Sequence, residues 1–455
     1  MTFLLIARRL VPALLFASSL FAGAGVARGA DLLTVYRQAV ATSPALAQVR
    51  SRLQAEEANR PLARAGLLPH LSAAAGISRN HADITGFPAF TVDEGYTASS
   101  YSVTLTQPLF NGPSYSAMSA ANAGVRAQEA ALHGAEQQLA LEVSQAYFAV
   151  LRAAAERRVA QGQRDLLQRI LDQAETFRQV GSGDIVSVDE ARARRDAAEA
   201  DRIRAKNALR VARRELERLT HGPVGALRDL GPLQPQGPHP DRMSAWTGVA
   251  MKNRSLLERA REELQVSRRQ IDVARRARWP RLDLDASYRK SRGDFLPDIH
   301  REEALVGLRL EFPLFQGGAI GARTRRALAT AEASLHRKEE LEDRVRLEAD
   351  NAFLALESSV AELAAATRAF ASAGTALAAT RQGYRVGTRS IVDLLTVVQD
   401  YAVAQRNDYL ARYRHVLARL RLKRAAGVLS EKDLRAVNAL LTREGGSRAR
   451  KEMSP

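Results

Sequence analysis

The sequence has no cysteine, few aromatic residues (5%) and, past its N-terminus, no apolar run that approaches a transmembrane helix. Without cysteine the fold needs no disulfide, and no lipid can be attached through an N-terminal cysteine. Scarce aromatics among abundant alanine and arginine favour thin helical layers over a thick globular core. Without an apolar helix, any membrane-embedded part must be built from strands, because hydrocarbon tolerates only backbone that satisfies itself. Catalytic signatures are missing too. The eight histidines are scattered, no two at metal-ligand spacing. There is no phosphate-binding loop, and Gly23, Gly25 and Gly29 are too irregular for a dinucleotide fingerprint. Adjacent carboxylates such as Glu339-Glu340 read as solvated helix face. No catalytic, cofactor-binding or metal residue is expected.

One sign of charge is in excess, with 67 basic against 50 acidic residues and a net charge of +17. Such a balance suits nucleic acid or an anionic membrane surface. The arginines are interspersed with Ala, Glu and Asp rather than blocked, so solvated helix faces are the expectation, and nucleic acid is not.

The N-terminus carries Arg8 and Arg9, then an uncharged, mostly apolar run from Leu10 to Val26, then small residues. This is the pattern of a secretory signal peptide. Gly25-Val26-Ala27 satisfies the small-x-small rule and places cleavage after Ala27; cleavage after Ala30 would leave Arg28 three positions back.

The mature chain repeats itself. Leu68-Pro69-His70-Leu71 corresponds to Trp279-Pro280-Arg281-Leu282, and Pro108-Leu109-Phe110-Asn111-Gly112 to Pro313-Leu314-Phe315-Gln316-Gly317. Ala146-Tyr147-Phe148-Ala149 corresponds to Ala352-Phe353-Leu354-Ala355, and Val180-Gly181 to Val386-Gly387. The expected layout is a signal peptide over 1–27 and a first repeat over 31–221. A connector with five prolines follows over 222–243, then a second repeat over 244–427, then a final segment and disordered tail over 428–455. Each repeat reads as helix, two strands, very long helix, helix. Asp31 can cap the first helix, and Ser43-Pro44 starts a second.

Period-two alternation marks the strands. Leu282, Leu284, Ala286 and Tyr288 alternate with Asp283, Asp285, Ser287 and Arg289; Val306, Leu308 and Leu310 alternate with Gly307, Arg309 and Glu311. Tyr101, Val103 and Leu105 do the same, and a weaker strand lies near Leu71 to Asn80. Each is close to the roughly 9–11 residues that cross a tilted bilayer. A barrel with a wet lumen and a half-buried soluble sheet both show this pattern. The helices break the tie. From Gly112 to Gly181 and from Gly317 to Gly387 no proline interrupts after Pro113. Small apolar residues recur at spacings of three and four, as in Val345, Ala349, Ala352 and Leu356. Such helices would be about 100 Å long. Four strands cannot close a barrel, and known barrels start at about eight, so two or more copies are required. The residues do not choose between dimer and trimer.

These features resemble the TolC-like outer-membrane efflux and type I secretion family. The resemblance covers about Asp31 to Leu441 and rests on the signal peptide, the duplication, the two Pro-Leu-Phe-x-Gly strand ends and the run Tyr384-Arg385-Val386-Gly387-Thr388-Arg389-Ser390-Ile391-Val392-Asp393-Leu394-Leu395. It implies a fold that is mostly α with a small β part: a homotrimer with a twelve-stranded barrel in outer-membrane lipid on a long helical barrel, belted by the connector and the segment after Gly427. It implies as partners a periplasmic adaptor, or membrane fusion, protein and an inner-membrane transporter. Val180, Gly181, Val386 and Gly387 would be the adaptor-contacting tips, their glycines serving positive φ and close backbone approach. Pro108, Phe110, Gly112, Pro313, Phe315 and Gly317 would form the strand-end turns. Tyr384, Arg389 and Asp393 resemble residues that hold the periplasmic entrance shut. Two positions depart from the pattern. Ser187 stands where an acidic partner is common, with Asp184 and Asp189 nearby, and Thr396 stands where a second entrance carboxylate is expected. The function so implied is export across periplasm and outer membrane, in type I protein secretion before multidrug efflux. A periplasmic coiled-coil adaptor is the alternative of another class.

Overall fold

A computed structural model describes residues 30–87, 90–231, 233–293 and 300–441. The expected signal peptide with its cleavage site, Pro232 and the charged tail lie outside the described residues. The elements run α1 (Leu32–Thr42), α2 (Pro44–Glu57), α3 (Asn59–Ala65), β1 (His70–Phe87), β2 (Phe90–Phe110), α4 (Gly112–Gln179) and α5 (Ile185–Thr220). After the connector come α6 (Met243–Asn253), α7 (Ser255–Arg276), β3 (Arg281–Arg292), β4 (His300–Glu311), α8 (Ala319–Arg385), α9 (Ile391–Ala425) and α10 (Glu431–Ala439). Local chemistry sets the first boundaries. The Asp31 carboxylate accepts from the Thr34 N–H at 2.8 Å and the Ser43 hydroxyl from the Leu46 N–H at 3.3 Å, with Pro44 where no donor is needed.

The strands form one antiparallel sheet in the order β1-β2-β3-β4, so among the described residues the outer edges of β1 and β4 are unpaired. One register row joins Leu71, Leu105, Ala286 and Val306; the next face holds Thr106, Asp285 and Gly307. Burial is the reverse of a soluble sheet. Val306 and Leu310 are 78% and 69% exposed, whereas Asp283 and Asp285 are only 5% and 9% exposed. Asp283 is held by Arg281 at 2.8 Å, and Asp285 by Arg309 at 3.1 Å and Thr106 at 2.9 Å. Leu305 departs from the division, a leucine registered on the polar face opposite Ser287, and towards the loop end the apolar face turns charged at Lys290, paired with Glu302. No described helix is long and apolar enough to cross a membrane.

The hairpins are unequal, which the alternation did not reveal. β3 and β4 have 12 residues each, but β1 has 18 and β2 has 21. The β1–β2 ladder continues past its last pairing with β3, at Ser99 and Arg292, as far as Phe87 and Phe90. Ser, Ala and Gly fill six of the seven positions 72–78 of β1 and carry little contrast between faces, so the pattern understates the strand.

The long helices α4 and α8 have 68 and 67 residues, hence about 100 Å each. Helix α4 is the inner member of the layer, packed against α5, α7, α9 and the N-terminal helices. It buries Leu139, Val143, Tyr147 and Val150, whereas α8 buries a single narrow stripe that includes Val345, Ala349, Phe353 and Leu356.

Midway along, the connector is pinned to this layer. Tyr147 donates its hydroxyl to the Arg228 carbonyl at 2.8 Å, and Tyr413 donates to Asp229, whose other oxygen pairs with Arg158 at 2.6 Å. Burial pushes both tyrosine hydroxyls far above their ordinary range, so neither ionises in use. His415 closes a third link. Its Nε2 accepts from the Gln236 backbone N–H at 3.2 Å and must therefore be unprotonated. The proton then sits on Nδ1 and is donated to the Ser359 hydroxyl at 2.9 Å, which donates in turn to the Leu356 carbonyl. Burial, aided by Arg419, holds the His415 pKa below the usual histidine value. Because the folded value is depressed, this link stabilises fully above about pH 6.5 and weakens as pH falls below it. Amide exchange at Gln236 is therefore expected to accelerate between about pH 7 and pH 5. In His415→Gln the rate should lose this extra pH dependence, which hydrogen-exchange mass spectrometry at matched intrinsic rates would read.

Candidate functional site at the helical tips

The end of the molecule far from the sheet is made by two reversals of chain direction, α4 to α5 and α8 to α9. They share one backbone solution. Val180 caps α4 and Gly181 follows at φ 77°; Val386 caps α8 and Gly387 follows at φ 77°. In the first turn the Ser182 N–H reaches the Phe177 carbonyl at 2.9 Å and the Gly181 N–H reaches Arg178 at 3.1 Å. In the second, the Thr388 N–H reaches Gly383 at 2.9 Å and the Gly387 N–H reaches Tyr384 at 3.2 Å. This paired 6→1 and 5→2 bonding is the Schellman motif, which satisfies the last helical carbonyls.

The glycine roles divide differently from the sequence expectation. A Cβ on Gly181 or Gly387 would meet nothing within 4 Å, so these positions need glycine for positive φ alone. Close approach falls on other glycines. A Cβ on Gly183 would lie 3.0 Å from the Arg178 backbone nitrogen, and one on Gly383 would lie 2.8 Å from the Arg389 Cγ.

The returning helices start with mirrored capping sequences. Asp184-Ile-Val-Ser187 opens α5, and Ser390-Ile-Val-Asp393 opens α9. In the first, the Asp184 carboxylate accepts from the Ser187 N–H at 2.6 Å. In the second, the Ser390 hydroxyl accepts from the Asp393 N–H at 3.1 Å, and the Asp393 carboxylate accepts from the Ser390 N–H at 3.1 Å, a reciprocal capping box. Hydrogen bonding to Ser187 holds Asp184 below the usual carboxylate range. Ser390 bonds, with Arg389 adding attraction, do the same for Asp393. Both carboxylates are ionised at neutral pH. The carboxylate that meets the Ser187 N–H is the one three residues back, at the cap.

Tyr384 leans across the tip towards the other hairpin. Its ring lies 6.2 Å from that of Phe177, and burial, then the charge of Asp184, raise its hydroxyl above the ordinary tyrosine value. The fold therefore brings Tyr384 towards Asp184, and Arg389 towards Asp393. Among the described residues Arg389 makes no ion pair or hydrogen bond, and its charge adds to the attraction on Asp393. Thr396 spends its hydroxyl on the Val392 carbonyl at 2.8 Å and adds no charge. Beneath the turns Leu167, Ile170, Leu171, Val188, Ile391 and Leu394 form a small core that ties the two hairpins, and Arg194 bonds Gln399 between α5 and α9 at 3.1 Å. Phe177 and Gly183 escaped sequence reasoning. The helical spacing of apolar residues before Gly181 could have drawn attention to Phe177.

At the other end the strand-end residues differ between repeats. Pro108 and Phe110 lie within β2 and Gly112 is the first residue of α4, so they form a direct strand-to-helix passage. A Cβ on Gly112 would come within 2.8 Å of the Trp279 ring. Pro313 and Phe315 instead precede a true turn at Gly317 and Gly318, both with positive φ. Among the described residues no cluster of three or more His, Asp or Glu is placed to hold a metal.

Comparison with known proteins agrees over nearly the whole chain. The sequence model of the outer membrane efflux protein family matches residues 35–222 and 246–428. Outer membrane protein TolC of Escherichia coli K12 is 28% identical over 450 residues, covering 96% of this chain and 90% of that protein. Alkaline protease secretion protein AprF of Pseudomonas aeruginosa is 31% identical over 424 residues, covering 90% and 86%. Among solved structures, the outer membrane protein VceC of Vibrio cholerae superposes with a TM-score of 0.77 at 18% identity, covering 87% of this chain and 96% of that one. The CmeC outer membrane channel of Campylobacter jejuni gives 0.78 at 16%, covering 90% of each.

The tip caps can be tested. Ser390→Ala should remove half of the capping box and cost the first turn of α9 about 1 kcal/mol. Amide exchange at Leu394 and Leu395 should then quicken about fivefold, while the corresponding α5 amides at Val188 and Asp189 stay unchanged.

Proposed function

Because this chain belongs to the outer membrane efflux protein family, and so is a subunit of an outer-membrane channel, we propose how it assembles and is gated. Three copies close one barrel in the membrane and one helical tunnel below it. The inverted burial of the sheet carries this reading: bare leucines outside, shielded carboxylates inside, continuous with two helical hairpins about 100 Å long. The free edges of β1 and β4 require further strands, which neighbouring copies supply. Helix α8 supports the same closure. Leu347 and Leu354 are exposed and one heptad apart, and α5 exposes Ile203 and Val211 at similar spacing. A half-buried soluble sheet, which the coiled-coil adaptor alternative needs, would bury its leucines rather than bare them.

The tips form the gate. Arg389, without an ion pair among the described residues, bonds a partner on the adjacent copy, with Asp184 at the cap of α5 as the acceptor. Tyr384 orients the same contact, and Asp393 lines the narrowed entrance. Charge-assisted hydrogen bonds of this kind favour the closed state, and a protein that binds the open tips shifts the population. That protein is a periplasmic adaptor, engaging Val180-Gly181 and Val386-Gly387 and coupling to an inner-membrane transporter. The channel itself performs no chemistry. Relatives named for protease secretion, AprF and PrtF of Dickeya chrysanthemi, favour a secreted protein as cargo, in type I secretion. Loss of the gene should therefore abolish secretion of that protein; unchanged secretion with raised drug sensitivity would assign the channel to efflux instead.

Purified, detergent-extracted protein in planar bilayers should show a small conductance. Arg389→Ser should raise it severalfold, and Asp184→Ala should match it. Equal conductances in all three would remove this pair from the gate.

A further inference from the structure

Part of the positive excess of the chain lies at the level where the helices meet the sheet. Many arginines on the long helices have carboxylate partners, as Arg202 has Glu199, Arg218 has Glu215 and Arg344 has Glu340. Others form no ion pair among the described residues; they are spread along the helices, as at Arg169, Arg337 and Arg421, and one group of them lies where the helices meet the sheet. Arg275 and Arg276 occupy the last turn of α7, and Arg278 follows it. Arg323, Arg325 and Arg326 lie in the first turns of α8, and Arg64 in the last turn of α3. The first turns of α4 carry no charge from Gly112 to Val125. Within about 15 Å of the strand ends the acid among these helices is Asp272, and it already faces Arg269 at 3.6 Å. None of the seven arginines forms an ion pair among the described residues.

A second observation says what lies beside them. The Phe110 and Trp279 rings stack at 6.1 Å with planes 12° apart, and Phe110 registers with Leu282 on the apolar face of the sheet. The Arg276 guanidinium sits 5.0 Å over the Trp279 ring. Phe312, Leu314 and Phe315 stand bare at the same end. Aromatic rings at a barrel end mark the boundary between hydrocarbon and headgroups, and an arginine above that boundary snorkels to headgroup level. α7 lies between α4 and α8, so its exposed arginines are not at the lateral edges where copies meet.

We propose that this collar, centred on Arg275, Arg276 and Arg278, binds the phosphates of anionic phospholipids in the leaflet nearest the helices. The guanidinium fork matches phosphate oxygens in pairs, and unpaired cations at a membrane surface attract anionic lipid. The proposal rests on the barrel reading above, because it needs the apolar face in lipid. The aromatic boundary favours lipid over a nucleic acid or an acidic protein.

The two tryptophans make a test possible. Trp246→Phe leaves Trp279 as the sole reporter in the intact assembly. Its quenching is measured in vesicles mixing phosphatidylcholine with phosphatidylglycerol, one lipid brominated on its acyl chains at a time. Brominated phosphatidylglycerol should quench with a relative binding constant about three- to tenfold that of brominated phosphatidylcholine. Salt at about 0.5 M should reduce the preference, and Arg275→Gln, Arg276→Gln and Arg278→Gln together should abolish it. Equal quenching by both lipids would overturn the collar and leave the barrel intact. No quenching by either would sink the barrel reading as well. Loss of the preference on adding millimolar inorganic phosphate would make this a small-anion site and overturn the lipid proposal. Should the triple variant fail to assemble, Arg323→Gln, Arg325→Gln and Arg326→Gln in its place should halve the preference or more; an unchanged value would count against the collar.

Discussion

The unpaired backbone edges of β1 and β4 set the terms for the rest of the molecule. In hydrocarbon each open N–H or C=O costs several kcal/mol, so the sheet is tolerable there only when other strands continue it around a closed ring. Closure places one face against lipid and the other against water. The registered rows obey that division, with Leu71, Leu105, Ala286 and Val306 on one side and Thr106 and Asp285 on the other. It also puts every described helix at the same barrel end, because β1 through β4 all enter or leave there. The helical tunnel is therefore a consequence of how the sheet is threaded.

Below the sheet the layer is thin, and its stability is correspondingly local. Small residues let the helices of α4 and α5, and of α8 and α9, approach closely over most of their length, while larger side chains gather midway at Tyr147, Phe148 and Tyr413. There the connector is fastened by hydroxyl-to-carbonyl, carboxylate and imidazole bonds rather than by a deep core. At the tips the apolar packing shrinks to a small cluster, and the backbone is held by two Schellman turns and two caps. A region with so few buried contacts is suited to open and close at modest cost.

Much of this was legible in the sequence. Duplication, the helix lengths and the alternating strands follow from period and punctuation, and Asp31 and Ser43 cap the helices that their residue types announce. The length of β1 was not legible, because Ser, Ala and Gly give no contrast between faces. The division of labour among the tip glycines was hidden as well. Gly181 and Gly183 look interchangeable in a sequence, yet one needs a dihedral angle and the other needs room. The exchange of acid and serine between Asp184-Ile-Val-Ser187 and Ser390-Ile-Val-Asp393 was visible as letters, but its meaning depends on which residue caps each helix.

Charge shows the same boundary. The excess of basic residues is a property of composition, and along the chain the arginines look evenly mixed with acids. Only the tertiary structure brings the end of α7, the start of α8 and the end of α3 to one level beneath an aromatic rim. By itself the sequence determined the periodicities, and with them the long helices, the two-faced strands and the need for more than one copy, because these depend on neighbours a few residues apart. The tertiary structure decided which side of the sheet is bare, which arginines lack partners and which carboxylates are already engaged, because those depend on distances between segments far apart in the chain.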